Sequence, residues 1–157
     1  MTILDVINGL ETEKPVTAES VRALNPEVFD AAFPGVHPQF RPCGELVLVQ
    51  IRTPKMKSKG GIIFIDDIKD TEKWNTQVGI VLAVGPVAFK NRTTLEPWPE
   101  GQWVQPGDFV RIPKHGGDKW EVATDKEGEP ALFAFFKDSE MLGHSLTNPL
   151  DVKAYIA

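Results

Sequence analysis

Five short apolar segments, separated by turns rich in glycine and proline, dominate the sequence after residue 44. The segments run from Glu45 to Arg52, Gln77 to Val84, Asp108 to Ile112, Lys119 to Ala123 and Ala131 to Phe136. Each has the length of a strand, and no pattern of a core helix lies between them. Pro106-Gly107-Asp108 suits a tight corner, because proline presets φ and glycine adopts positive φ without strain. The pattern predicts an all-β domain, built as a small barrel or a sandwich.

Residues 1–38 follow a helical pattern instead and predict an N-terminal extension. Near the start, four apolar residues recur at helical spacing behind a Thr2–Asp5 pair, which is typical of a capping box. These apolar residues are Ile3, Val6, Ile7 and Leu10. A second helix is expected to begin at Asn25-Pro26 and to stop at Phe33-Pro34-Gly35. The sequence leaves open whether this extension is partly helical or a disordered tail.

The composition excludes several classes of protein. With 157 residues, the chain has room for one ordinary domain and an appendage. Its net charge of -5 argues against nucleic acid as a partner, and no apolar run approaches the roughly 20 residues that span a membrane. Cys43, the single cysteine, cannot form an intrachain disulfide, and Met1–Val6 lacks the features of a secretory signal. We therefore expect a cytoplasmic protein.

A charged stretch at about residues 53–76 surrounds a small apolar cluster. Gly60 and Gly61 lead into the run Ile62–Ile65, and charged residues flank this run on both sides. Paired glycines free the backbone and dense charge resists burial, so the sequence predicts a mobile loop with an apolar tip. The alternative interpretation is a core strand with polar flanks, because short apolar runs are ambiguous.

A second long segment, at about residues 86–105, contains Trp98 and Trp103 among three prolines. Its length predicts a hairpin or loop that projects from the domain. These boundaries place the β domain at residues 39–145, and they leave residues 146–157 as a C-terminal extension.

The apolar segments and their turns resemble, in order, the sequence blocks of one known family. The blocks are Phe40–Val49, Gly60–Phe64, Gly79–Gly85, Gly107–Val110, Lys114–Gly117 and Ser139–Leu142. They are similar to the strands, mobile loop and turn of the GroES-type co-chaperonins, the lids of barrel-shaped chaperonins. No single block is specific, but the ordered set is. Extra residues around Trp74 and the tryptophans of the roof segment depart from the ordinary bacterial lid, and they suggest a divergent, phage-encoded member.

The resemblance implies a small GroES-like β-barrel with a mobile loop, a roof hairpin or loop, and a short helical N-terminal extension. It implies a co-chaperonin rather than an enzyme, with no catalytic residue, cofactor or metal. Such a protein forms a homo-heptameric ring, caps a GroEL-type chaperonin during the chaperonin's ATP cycle, and encloses an unfolded client protein. For a phage-encoded member, the suggested client is a capsid protein and the location is the host cytoplasm.

The resemblance also implies which residues make the contacts. Ile62, Ile63 and Phe64 would bind an apolar groove of the chaperonin, and Gly60 and Gly61 would act as loop hinges. In the family, the first strand of one subunit pairs with the last strand of its neighbour. The residues implicated here in that subunit interface are Val47, Val49, Ile51, Met141 and Leu142.

Two other functions stay open at the level of sequence. A viral structural or assembly protein would use the β domain and the Ile62–Ile65 cluster only to associate with other proteins. A relative of the zinc alcohol dehydrogenase barrel would need zinc ligands, but the histidines and Cys43 lack the usual spacings. Cys43 and His115 also lack a third group to orient them as nucleophile and base. The aromatic residues of the last segment are expected in the core: Phe133, Phe135 and Phe136.

Overall fold

Six antiparallel strands form a single sheet in the part of the chain that the structure describes. The structure is a computed structural model, and it describes residues 2–10, 12–52, 77–113, 115–124 and 130–149. The strands are β1 (Leu46–Ile51), β2 (Val78–Val84), β3 (Phe109–Arg111), β4 (Asp118–Val122), β5 (Ala131–Lys137) and β6 (Gly143–His144). Their order across the sheet is β4-β5-β1-β2-β3-β6. The five predicted strands all lie within one residue of their predicted bounds, so the all-β fold is confirmed.

Three short helices precede the sheet and confirm that the N-terminal extension is partly helical. They are α1 (Ile3–Leu10), α2 (Ala18–Leu24) and α3 (Pro26–Ala32). α1 begins with the predicted capping box, and hydrogen bonds from the Thr2 backbone and hydroxyl hold the pKa of the Asp5 carboxyl below its ordinary value. α3 begins as predicted, with the Asn25 side chain accepting the Val28 N–H. Among the described residues, no helix has the length and apolarity needed to cross a membrane.

Both faces of the sheet are buried, because successive residues of a strand point to opposite sides. On the first face, alternate residues of β1 pack with β2, β3, β5 and the segment that precedes β3. These β1 residues are Val47, Val49 and Ile51. On the second face, Leu48 and Gln50 lie buried beneath the N-terminal extension. β1 lies between β5 and β2 and forms backbone pairs with both strands.

Aromatic packing joins the N-terminal extension to the second face. Phe33, just after α3, packs against Phe109 of β3 with ring centroids 5.6 Å apart, and Phe29 lies 6.3 Å from the same ring. Val21 of α2 is buried in the same cluster. Helices as short as α2 and α3 are marginal in water, so this apolar packing is what stabilises them.

Hydrogen bonds fix the path of the extension across the sheet. The Val16 N–H donates to the Ser145 carbonyl (2.9 Å) just beyond β6, so the path starts at that edge. Farther along, the Gln50 side-chain amide of β1 donates to the Pro34 carbonyl (2.8 Å). The extension therefore crosses the second face from β6 toward β1 and packs as part of the folded domain.

Candidate functional site

The residues predicted to bind a chaperonin lie outside the described residues. They are Ile62, Ile63 and Phe64, together with the predicted hinges Gly60 and Gly61. The structure does describe the two points where this segment leaves and rejoins the sheet. β1 and β2 are antiparallel neighbours, and the Arg52 N–H donates to the Val78 carbonyl (3.2 Å). The two strand ends that flank residues 53–76 therefore lie side by side at one end of the sheet.

The base of this segment is also held by β3. The Gln77 backbone carbonyl accepts the Ile112 N–H at 2.9 Å, and the Gln77 side-chain oxygen accepts a hydrogen bond from Arg111 at 3.3 Å. In β2, Gly79 lies so close to β1 that a Cβ atom there would overlap the Val49 side chain. Both ends of the segment are therefore fixed on closely packed, hydrogen-bonded strands.

Four of the five residues predicted at the subunit interface are core residues of this chain. Val47, Val49, Ile51 and Met141 are buried in the cluster on the first face. The β1 backbone is also used within the chain, because β2 and β5 pair with it on both sides. Leu142 differs from the others, since its side chain is 59% exposed. This placement revises the interface prediction: of the five side chains, only Leu142 offers accessible surface.

The β6 edge combines that exposed leucine with a neighbouring cavity. Within the described sheet, β6 pairs with β3 alone. A cavity of about 480 Å³ lies between the end of the roof segment and the residues around β6. Trp103 lines this cavity, and its indole N–H is buried with no acceptor among the described residues. The edge therefore presents an apolar side chain, a recess and strand backbone within a small area.

The segment before β1 forms a second exposed apolar surface. Phe40 is 59% exposed and packs edge-on against Trp120 of β4, with ring centroids 5.4 Å apart. The Trp120 indole N–H donates to the Pro38 carbonyl (2.9 Å), which fixes this stretch of chain. Beside it, an open groove of about 640 Å³ lies between residues 35–41 and strands β1 and β2. We call it the N-terminal groove.

The predicted roof segment packs onto the first face at its base. Phe89 is buried, and the rings of Trp98 and Trp103 pack against it. The two tryptophan rings themselves lie 4.9 Å apart. Lys90 and Pro97 form an isolated antiparallel bridge, so the residues between them make a short hairpin-like turn. The two tryptophans are therefore half-buried and packed against the core, and they do not form a projecting tip.

The histidines and Cys43, the other candidates for metal binding or catalysis, do not form a site among the described residues. In the described ranges, no three histidine, cysteine or acidic side chains come together as ligands for a metal ion. His37 Nδ1 accepts the Gln39 N–H at 2.8 Å, and Cys43 is exposed. Phe133 and Phe136 are fully buried and Phe135 is half-buried, which confirms the prediction that they are core residues.

Several known proteins that match this chain belong to one family. The family model described as chaperonin 10 Kd subunit matches residues 39–143. A co-chaperonin GroES of Methylacidiphilum infernorum is 36% identical over 107 residues, which cover 68% of this chain and 94% of that protein. A co-chaperonin GroES of Caulobacter sp. strain K31 is 35% identical over 111 residues, covering 67% and 95%. Co-chaperonin GroES 5 of Rhizobium meliloti is 35% identical over 104 residues, covering 66% and 86%. The helices α1 to α3 precede the residues that the family model matches.

Proposed function

Because this chain belongs to the chaperonin 10 kDa subunit family of co-chaperonins, we propose that it forms a ring that caps a GroEL-type chaperonin and encloses a folding client protein. The observation that carries the proposal is the family match over residues 39–143, which includes β1 to β5, the first residue of β6 and the segment predicted to bind the chaperonin. The position of the two flanking strand ends supports it, because both lie at the same end of the sheet, from which the intervening residues would reach a partner.

The proposed contact is made by three apolar side chains, Ile62, Ile63 and Phe64, in an apolar groove of the chaperonin. Burying them stabilises the contact by roughly 5 to 9 kcal/mol, at about 1.5 to 3 kcal/mol each. Ordering about ten residues of the segment opposes binding by about 1 kcal/mol for each residue. One subunit alone therefore binds weakly. Lys55, Lys57 and Lys59 precede the cluster, and we propose that they steer it toward an acidic rim.

A ring compensates for the weak binding of a single subunit, because it presents several copies of the contact to the chaperonin at once. Once one subunit is bound, the others are held at high local concentration, so weak single contacts combine into firm capping. Weak single contacts also allow release when the chaperonin's ATP cycle changes the groove. We propose that the ring closes head to tail between the β6 edge of one subunit and the segment around Phe40 of the next. Leu142 and Phe40 support this, because both are apolar and 59% exposed on these two surfaces. Such pairing would also cover an otherwise open strand edge.

The roof segment bears on the size of the enclosed chamber. Trp98 and Trp103 pack back onto Phe89 in the core, which leaves a short hairpin between Lys90 and Pro97. We propose that this short roof enlarges the chamber for a bulky client such as a phage capsid subunit. The test is refolding of one large and one small client under this lid and under a bacterial lid. An advantage of this lid confined to the large client is the expected result, and equal yields would contradict it.

Substitution of the central apolar residue tests the chaperonin contact. We expect Ile63→Asp to weaken capping of a purified GroEL-type chaperonin by at least about a hundredfold, because the loss is repeated in every subunit of the ring. Capping is measured as co-sedimentation with the chaperonin in the presence of nucleotide. Asn75→Asp is the matched control, since it adds the same charge to the same segment outside both the apolar cluster and the three lysines that precede it. Equal capping by Ile63→Asp and the unaltered protein would refute the assignment.

A further inference from the structure

The helix α1 carries an apolar face that nothing in the described chain covers. Ile3, Ile7 and Leu10 are 70%, 56% and 51% exposed and lie on one side of the helix, and no residue of α1 is buried. An isolated helix needs about 12 to 15 residues to be even marginally stable in water, and α1 has 8. A helix this short and this apolar requires a partner surface.

The N-terminal groove is a surface of matching character. Apolar side chains line it from both sides, including Val36, Pro38, Leu48 and Leu82. Its volume of about 640 Å³ lies within the range of clefts that hold small apolar ligands, roughly 300 to 1,000 Å³. It is therefore large enough for several aliphatic side chains of one helix face.

We propose that α1 of each subunit docks into the N-terminal groove of the neighbouring copy of this chain, so that the ring is closed by a helix as well as by strands. This inference rests on the proposed ring. It assigns a role to residues 2–10, which lie outside the part of the chain that the family model matches.

The path of the chain favours a neighbour's groove over the subunit's own groove. Hydrogen bonds from Val16 to Ser145 and from Ala18 to Gly107 hold the end of the connection beside β6 and the turn before β3. The five residues 11–15 between α1 and this point span at most about 18 Å. In the same subunit, α2 and α3 cover β2 and β3 and so lie between this point and the groove over β1 and β2.

The neighbour's groove lies where the proposed ring contact would bring it. α1 leaves the domain next to β6, the edge proposed to meet the next subunit around Phe40. Phe40 and Arg41 are themselves part of the groove. A helix that extends past β6 therefore reaches the groove of the next subunit by continuing across the same contact.

The charges of α1 and of the N-terminal groove support α1 of a second copy as the occupant of the groove. The segment that contains α1 carries Asp5, Glu11 and Glu13, and its first basic residue is Lys14. The groove is lined by Arg41 and His37, with no acidic residue among the described residues around it. An acidic helix is poorly suited to an anionic membrane surface, which favours helices rich in lysine and arginine. The complementary charges thus favour a second copy of this chain over a lipid surface.

Substitution on the two sides of α1 provides the first test, with the full-length protein. Ile7→Asp should raise the concentration at which the particle dissociates, measured by native mass spectrometry, by about tenfold or more, because an apolar contact is replaced by a buried charge. Asn8→Asp is the matched control, since it adds the same charge to the same helix at an exposed polar position, and it should change that concentration by about twofold or less. Because α1 buries nothing in its own chain, Ile7→Asp leaves the subunit fold intact, as near-ultraviolet circular dichroism would show. Equal effects of the two substitutions would overturn the proposal.

Cross-linking to the natural cysteine provides the second test and identifies the occupant. Cys43 is exposed and lies two residues beyond Arg41 of the groove. Leu4→Cys treated with a short bifunctional maleimide should yield a ladder of covalently linked subunits on a denaturing gel, and the added Ile7→Asp should abolish it. A cross-link within one chain, or none, would overturn docking on the neighbour. If a ring forms but no cross-link is found, the docking of α1 is refuted and the proposed ring is not. If the protein is a monomer, both the ring and the docking are refuted.

Discussion

At the scale of single residues, β1 contributes buried side chains to both faces of the sheet. The resemblance implicated Val47, Val49 and Ile51 at an interface, but they lie in the core because β1 sits between β5 and β2. Strand order depends on long-range pairing, and the residues of one strand do not specify it. The aromatic residues of the last segment, by contrast, were correctly predicted in the core, since Phe133 and Phe136 are fully buried on opposite faces of the sheet. The residues predicted to bind the chaperonin lie outside the described residues and stay a prediction.

A glycine at the base of the binding segment allows a direct test at this scale. In Gly79→Ala, the new Cβ would overlap the Val49 side chain and lie 3.1 Å from the Gln50 carbonyl oxygen. We expect a loss of about 1 to 3 kcal/mol in the free energy of unfolding, typical of overpacking in a core. Gly143→Ala is the control in another strand, since nothing lies within 4 Å of its new Cβ. Both are measured by urea unfolding below the concentration at which the particle assembles, and equal stabilities would contradict the packing described.

At the scale of elements, strands were easier to predict than helices. Short apolar runs between turns fixed the five strands, and the Asn25-Pro26 cap fixed the start of α3. The sequence pattern did not predict α2, because its capping box uses Ser20 where glutamate or glutamine is usual. The sequence pattern also did not predict that residues 16–38 cover the second face of the sheet. A signal for it exists in the nearly continuous apolar run of β1, which is typical of a strand buried on both sides.

Two apolar residues of the extension, Phe33 and Val28, should differ in how much they contribute to the free energy of unfolding. Phe33→Ala should lower the free energy of unfolding by about 3 to 5 kcal/mol, because it leaves a cavity against Phe109. Val28→Ala is the control in α3, and we expect an effect within about 0.5 kcal/mol because that side chain is largely exposed. Urea unfolding of the separated subunits measures both. Similar small losses for the two variants would show that the extension does not stabilise the sheet.

At the scale of the whole molecule, the chain combines a domain of the co-chaperonin family with an N-terminal extension. Residues 16–38 complete the subunit by covering the second face of the sheet. α1 precedes that cover along the chain and has an exposed apolar face, and the cover begins at Val16, which is hydrogen-bonded beside β6. The extension therefore has a part that packs on the subunit's own sheet and a part, α1, that we propose joins neighbouring subunits.

The decisive measurement is the mass of the native particle, with and without a GroEL-type chaperonin and ATP. We expect one closed oligomer of this chain alone, and a complex with the mass of one such oligomer on one end of the chaperonin when nucleotide is present. A monomer that forms no complex with the chaperonin under the same conditions would contradict it.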